Sequence, residues 1–448
     1  MAAVPDFLNA FTIDQPRCTE PVSLDAGMAR CLVPGASIAL IEDGAISGAW
    51  SAGVRRLGEP DPVTERTRFQ AGSISKAVAA ACALRLVADG RLDLDEDVND
   101  RLRSWRVPAN DGWQPRVTLR HLLSHTAGTT VHGFPGYPRG ARVPSVPEVL
   151  DGHGNTMPVR VTTLPGLQYA YSGGGFTIMQ LLLADVTGTD FATLAAELVL
   201  GPAGMADSTY AQPLPADLAA TAAAGHRDGP TVVTGDWHTY PEQAAAGLWS
   251  TAGDLARFFL AVRDSCLGRP GALLPVEVAR QMATPHAANS RYGLGLQLAA
   301  EGGPASVGHS GDDQGFQATA VVHLGTGHGI TVMTNSDCGY GLIRELVLPV
   351  VGDRYGWTGR RRGTGTVPVG AGDLAGRYVG DEAEFVVRAD HGDLELVLAG
   401  QPPVRLRRGA DNEWHARTVN LDVSFHDDVL VVRQEVAGLP DVEARRKD

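Results

Sequence analysis

The sequence predicts an α+β domain over residues 1–360 followed by a small antiparallel β-barrel or sandwich over residues 372–448. Three observations carry that expectation. Strand-like segments stand near both ends of the first domain with helix-like segments between them, so the terminal segments are expected to share one sheet. Residues 357–372, WTGRRRGTGTVPVGAG, have the composition of a linker. Beyond them, about eight short β-rich segments recur at roughly ten-residue spacing. With 448 residues and 44% hydrophobic content, the chain can bury the cores of two domains.

Each element has its own signal. Residues 36–56 read as two short strands joined by a turn at Glu42-Asp43-Gly44. The run after Gly72 is apolar on most faces and stops at Gly90, a favourable residue just past a helix end, which predicts a buried central helix. Residues 117–128, 172–188 and 251–268 give three further helix-like segments, each closing on a glycine. After residue 290, YGLGLQLA, ASVGHSG, FQATAVVHL and GITVMTN cluster β-branched and apolar residues between glycines, as strands do. The C-terminal series runs LAGRYVG, EFVVRA, LELVLA, VRLRR, EWHAR, LDVSF, VLVVRQ and VEARR, with turns such as Asp390-His391-Gly392.

Composition excludes several classes of function. Asp and Glu number 51 against 38 Lys and Arg, a net charge of −13, and no basic stripe is visible, so a nucleic-acid partner is not expected. The five cysteines (Cys18, Cys31, Cys82, Cys266, Cys338) are odd in number and form no C-x-x-C pair, which suggests neither a disulfide framework nor a zinc ribbon. The N-terminal residues MAAVPDFLNAFTIDQ lack a basic and then apolar signal sequence, and the apolar runs are too short for a membrane span. These features predict a soluble, reduced, cytoplasmic protein without membrane attachment.

Lysine usage singles out one position. The chain has two lysines, Lys76 and Lys447, and uses arginine for every other basic residue. Lys76 closes Ser73-Ile74-Ser75-Lys76 at the start of the buried helix. Residues three apart share a helix face, so the hydroxyl and the amine can meet. A serine hydroxyl needs a base to become a nucleophile, and a desolvated lysine can supply one, whereas a guanidinium stays protonated. The helix N-terminus adds positive potential that favours a neutral amine and a developing oxyanion.

Two further segments, Tyr169-Ala170-Tyr171-Ser172-Gly173-Gly174-Gly175 and His309-Ser310-Gly311, give this motif its context. In order and spacing, the three resemble the S-x-x-K, Y-x-N and K-T-G (or H-x-G) signatures of the serine β-lactamase and penicillin-binding-protein superfamily. The segments VTLRHLLSHTAG, YSGGGFTIMQLL, AAAGLWSTAGDLARF and VGHSGDDQGFQA resemble its class C-type branch, which includes esterases and D-amino-acid peptidases. The resemblance spans residues 25–350, and the C-terminal strands are similar to lipocalin-like barrels appended to some members.

The resemblance implies a β-lactamase/transpeptidase-like fold, an antiparallel sheet flanked by helices, and roles for individual residues. Ser73 is the acylated nucleophile and Lys76 takes or relays its proton. Tyr171 is a second base, with its phenolate favoured by Lys76, and His309 replaces the lysine of K-T-G. The backbone N–H groups of Ser73 and Asp312 form the oxyanion hole, while Gly173, Ser310 and Gly311 line the substrate site. Tyr171, rather than Tyr169, immediately precedes the glycine-rich turn. Trp249 either lines the pocket or packs in the core.

Departures from the family pattern narrow the expectation. Gly173 removes the amide of Y-x-N, and His309 removes a fixed cation that would grip a substrate carboxylate. Both favour an esterase, amidase or acyl-transfer enzyme acting on a neutral acyl group, D-amino-acid-containing substrates included, over a β-lactamase. The alternatives are a penicillin-binding-protein-type thioesterase, cyclase or acyltransferase that passes the acyl group to an amine, and a non-catalytic penicillin or acyl sensor. His121 and His125 have the i, i+4 spacing of a zinc pair, but no glutamate stands between them in H-E-x-x-H fashion. They are read as structural, and no metal or cofactor is expected. The partner expected is a small-molecule or peptide substrate, with specificity residing in loops such as Thr129–Arg142.

Overall fold

The computed structural model describes residues 11–12, 21–110, 112–227, 229–287, 290–298, 305–357, 371–380, 384–390, 393–398, 403–408, 413–416, 421–426, 428–434 and 442–447. Most of the linker-like segment 357–372, and His391-Gly392 of the expected turn, lie outside them. The chain divides into two compact units, one containing Val22–Ile343 and the other Arg344–Asp448.

The first unit is built on a six-stranded antiparallel sheet. Its strands are β1 (Gly35–Glu42), β2 (Ala45–Gly53), β3 (Gln297–Leu298), β4 (Ser306–Asp313), β5 (Phe316–His323) and β6 (Gly329–Thr334). They lie in the order β3-β4-β5-β6-β1-β2. β6 pairs with β1, with Thr334 opposite Ala36 and Gly329 opposite Ile41, so the terminal segments of the unit do share the sheet. The turn between β1 and β2 places Asp43 at φ 51 and Gly44 at φ 79, the backbone that suits the twist of a tight hairpin.

Helices follow the apolar patterning. Those that build the site are α1 (Ile74–Ala88), α2 (Leu119–Leu123), α3 (Gly173–Thr187), α4 (Gln243–Ala246) and α5 (Ala252–Cys266). α1 is buried on nearly every face, and its alanines Ala77, Ala79, Ala80, Ala81 and Ala83 let β4, α3 and α4 approach closely. α3 starts where Ser172 Oγ accepts the Gly175 N–H and ends at Gly188, φ 72. α5 is capped by Thr251 and packs Leu255, Phe258, Phe259 and Val262 across β1, β5 and β6. Each such side chain contributes about 1.5–3 kcal/mol by leaving water.

Two elements are shorter than the sequence predicts. The helix expected over 117–128 stops at Leu123, because Ser124 Oγ bonds back to the Arg120 carbonyl and His125 turns to φ 57. The strand expected over YGLGLQLA is reduced to Gln297–Leu298. Gly295, at φ 80, bends the chain over α1 so closely that a Cβ there would lie 2.3 Å from Ala80 Cβ.

The second unit carries an eight-stranded antiparallel barrel from Gly376–Val379 to Val442–Lys447. It closes by pairing those two strands, with Arg377 opposite Lys447 and Val379 opposite Arg445. Side-chain alternation sends Tyr378, Phe385, Leu394, Leu406, Trp414, Phe425 and Leu430 inward, where they are buried together as a packed core. None of the residues singled out above for chemistry lies in this unit. A soluble chain ending near residue 360 is therefore expected to fold and to become acylated at Ser73. Complete loss of labelling in a folded truncation, checked by circular dichroism, would assign the barrel a part in the chemistry.

Candidate active site

The site is assembled where the chain enters α1. The short strand Phe69–Gln70 pairs with Trp249–Ser250, and the Ala71 N–H donates to Leu248 O at 2.8 Å. Gly72, at φ 53, then turns the chain into the helix. Serine is among the best helix caps, yet the Ser73 hydroxyl makes no capping bond and is left for chemistry. Lys76 Nζ lies 3.0 Å from Ser73 Oγ and donates to Ala245 O at 2.8 Å.

Close backbone packing seats the start of α1 against β4. A Cβ on Gly72 would lie 2.4 Å from the Asp312 nitrogen, and a Cβ on Gly311 would lie 1.9 Å from Ala71 O and 3.1 Å from the Ser73 nitrogen. Only glycine fits at either position. Their absence of side chains lets the backbone around Ser73 and that around Asp312 approach closely. Next to them, Ser310 Oγ is 3.3 Å from Thr319 Oγ across the sheet.

Burial decides the protonation of these groups. Lys76 is 2% exposed, and desolvation brings its amine down to about 7, against a smaller upward pull from the Asp313 carboxylate. The same burial pushes the Tyr171 phenol well up, despite its hydrogen bond with Ser73. The expected phenolate is therefore corrected: the resting Tyr171 is a neutral phenol. Lys76 Nζ sits 4.9 Å from the centre of its ring. Tyr169 lies behind it, with its ring centroid 5.9 Å from that of His125 and 5.8 Å from that of Tyr292.

His309 is held as a neutral ring. Its Nδ1 is 2.6 Å from Ser310 O and its Nε2 is 2.9 Å from the Tyr292 hydroxyl. With the proton on Nδ1, the ring donates to the carbonyl and accepts from Tyr292. Burial, reinforced by Lys76, drops its pKa to about 3. Tyr292 escaped the sequence reading; its only signal was its place in the glycine-punctuated run before β3.

Other expected site residues take different parts. The Gly173 N–H donates to His132 O at 2.9 Å, and a Cβ there would lie 2.9 Å from Phe134 Cε2. Glycine at this position admits the loop 129–134. Trp249 is fully buried, edge-on to Trp237 and Phe316, so it supports the site from within the core instead of lining a pocket. His121 and His125 do not share a helix face. His121 Nδ1 accepts the Thr118 N–H in a capping box, while His125 turns inward beside Tyr171. Among the described residues, no group of three His, Cys, Asp or Glu side chains could hold a metal ion.

Two buried carboxyls were also missed. Asp313 shares a face of β4 with His309 and Gly311, and its carboxyl is pushed well up by burial, next to Asp312 and Lys76. Glu242, fully buried just before α4 with neither oxygen hydrogen-bonded, is pushed up to about 7. Isolated acidic residues carry no sequence signal for burial.

A serine in the first turn of a buried helix, with a strand of an antiparallel sheet laid against it, is the arrangement of the β-lactamase/transpeptidase fold. The chain belongs to the Beta-lactamase family, whose model matches residues 23–344. Esterase EstB of Burkholderia gladioli is 27% identical over 280 residues, covering 55% of this chain and 70% of the esterase. The D-aminopeptidase of Gluconobacter oxydans is 30% identical over 181 residues, or 40% of this chain and 32% of that enzyme. Two solved structures share the fold across both units. SurE has a TM-score of 0.61 at 24% identity, covering 95% of this chain and 97% of that one. The octameric penicillin-binding-protein homologue from Pyrococcus abyssi has a TM-score of 0.61 at 20% identity, covering 94% and 97%. Hydrolysis is the class of activity that the family relationship supports. No helix among the described residues is long and apolar enough to cross a membrane.

The arrangement of Lys76 and Tyr171 about Ser73 makes three predictions. Lys76→Arg should fold with a lowered melting temperature, because its guanidinium stays charged in a buried site, and should lose almost all labelling of Ser73 by a fluorophosphonate. Wild-type labelling of a folded variant would remove the amine from the chemistry. A neutral Lys76 amine acting as the base predicts, in wild type, a labelling rate that rises tenfold per pH unit below about 7 and levels off above it. Tyr171→Phe should cut ester turnover by roughly two to four orders of magnitude, the span of a positioned acid–base group. Tyr169→Phe should cost less, and the reverse ranking would show that the other tyrosine is in play.

Proposed function

We propose that this protein is a serine hydrolase that cleaves an ester or amide with an uncharged acyl group through an acyl-enzyme on Ser73. The observation that carries the reading is the buried Lys76 amine, 3.0 Å from Ser73 Oγ and titrating near neutrality. In this scheme the Ser73 O–H proton passes to the lone pair of Lys76 as Oγ attacks the carbonyl carbon. The developing oxyanion accepts from the Ser73 and Asp312 N–H groups. The leaving group departs with a proton delivered from the Lys76 ammonium through the Tyr171 phenol. Water then attacks the acyl-enzyme, gives up a proton along the same path and releases the acid. The scheme calls for no metal or cofactor.

The acyl preference rests on charge. His309 is neutral where the family pattern has a lysine, and the carboxyls of Asp312, Asp313 and Glu242 lie in or beside the site. A substrate carboxylate would find no ammonium at position 309 to pair with. The names of the esterase and D-aminopeptidase relatives point to esters and amides, and esters or amides of D-amino acids, which carry no carboxylate, belong among the first substrates to try.

The test is turnover of p-nitrophenyl butyrate beside nitrocefin, with and without added amines. The ester should be hydrolysed with a kcat/KM at least roughly tenfold to a hundredfold above that for nitrocefin, the worth of one lost charge-assisted hydrogen bond. Comparable nitrocefin turnover would sink the acyl preference. Dominant capture of the acyl group by the amine would make the protein a transferase, and labelling of Ser73 without turnover would make it a sensor.

A further inference from the structure

The reaction scheme leaves unused the residue that grips Tyr171. His125 sits just beyond α2 at φ 57, a left-handed conformation that non-glycine residues seldom adopt. Its carbonyl accepts the Ala170 N–H at 2.7 Å, and its Nδ1 accepts the Ser172 N–H at 3.1 Å. The residues on either side of Tyr171 are therefore both bonded to His125. The imidazole also lies against the Tyr171 ring, with centroids 4.2 Å apart and planes tilted by 37°. Phe176 and Tyr292 touch the same imidazole at 5.2 and 4.6 Å.

This grip is maintained at a local cost. Because Nδ1 accepts a hydrogen bond, the ring proton resides on Nε2, and Nε2 is buried with no hydrogen-bond partner. An unpaired buried N–H and a left-handed backbone are each unfavourable, and such strain persists where the surroundings over-determine it. Asparagine would ease the backbone, since it tolerates the left-handed region, and its Oδ1 can take the place of Nδ1. What asparagine cannot supply is the ring face against Tyr171.

We propose that His125 is a positioning residue for acyl transfer, holding Tyr171 by both flanking residues and by its ring so that the phenol stays on Ser73 Oγ. The proposal rests on the Ser73 acyl-enzyme reading. It differs from a merely structural role in one respect: the effect of His125 on turnover must pass through the Tyr171 hydroxyl.

A double-mutant cycle reads that dependence. Wild type, His125→Phe, His125→Asn, Tyr171→Phe and the two double variants are compared for kcat and KM on p-nitrophenyl butyrate. His125→Phe should lower kcat about a hundredfold, the scale of a 1 Å misplacement, with KM within about threefold of wild type. His125→Asn, which keeps the Ser172 bond, should lower kcat less. In the Tyr171→Phe background neither substitution should lower kcat further. Losses that multiply in that background would overturn the proposal. Should His125→Phe melt too low to assay, His125→Asn completes the cycle alone.

A second readout does not need turnover. In protein labelled with 13Cζ-tyrosine, with the Tyr171 signal assigned by Tyr171→Phe, that signal should be single and sharp in wild type and broadened or doubled in His125→Phe. An unchanged Tyr171 signal in a folded His125→Phe protein would overturn the proposal whatever the enzyme does. A wild type that neither labels nor turns over the ester would instead sink the acyl-enzyme reading, and the spectrum would still decide the clamp.

Discussion

The structure is organised around one desolvated amine. Moving an ammonium out of water is expensive, and a lysine answers that expense by giving up its proton. α1 makes the burial possible, because its run of alanines lets β4, α3 and α4 close on Lys76 from several sides. Ala245 O then takes one N–H and leaves the amine facing Ser73 Oγ. An arginine of similar reach would stay charged, which accounts for a lysine here in a chain that otherwise relies on arginine.

The neighbours are consistent with an amine kept close to neutrality. His309 and His125 are uncharged rings, both held down by burial and by Lys76 itself, and Tyr171 is a neutral phenol. Asp313 pulls the other way and keeps the amine from falling further. Such a site is costly to fold. Lys76 has a folded pKa of about 7 against 10.5 in its ordinary state, so the unfolded chain binds more protons between those values and stability from this group rises with pH there. Glu242 titrates at about 7 against 4.5, so the folded chain binds more protons in that window and its contribution falls as pH rises. Both penalties are close to full at pH 7, where the proposed chemistry would run.

The loop 129–134 shows how packing and chemistry share residues. Ser172 caps α3 and donates from its hydroxyl to Thr130 O, while Gly173 and Gly174 donate to His132 O and Val131 O. The three glycines were legible as a turn entering a helix. Their tighter purpose, admitting a loop from 40 residues upstream, depends on which segment arrives there. The same holds for Gly72 and Gly311, whose missing side chains matter only because each faces the backbone of the other's segment.

Residues close in sequence declared themselves. Ser73 and Lys76 meet because a helix places i and i+3 together, apolar runs closing on glycine marked α1, α3 and α5, β-branched clusters between glycines marked the sheet strands, and the regular C-terminal series of short segments marked a barrel or sandwich. The neutral tautomer of His309 was decided by Tyr292, which comes from a bend over α1 and not from the strand itself. The phenol of Tyr171, the buried carboxyls of Asp313 and Glu242, the burial of Trp249 and the parting of His121 from His125 were likewise decided only by the tertiary structure. The reason is physical: periodicity and local motifs are properties of neighbouring residues, whereas protonation and burial are set by desolvation and by partners far along the chain.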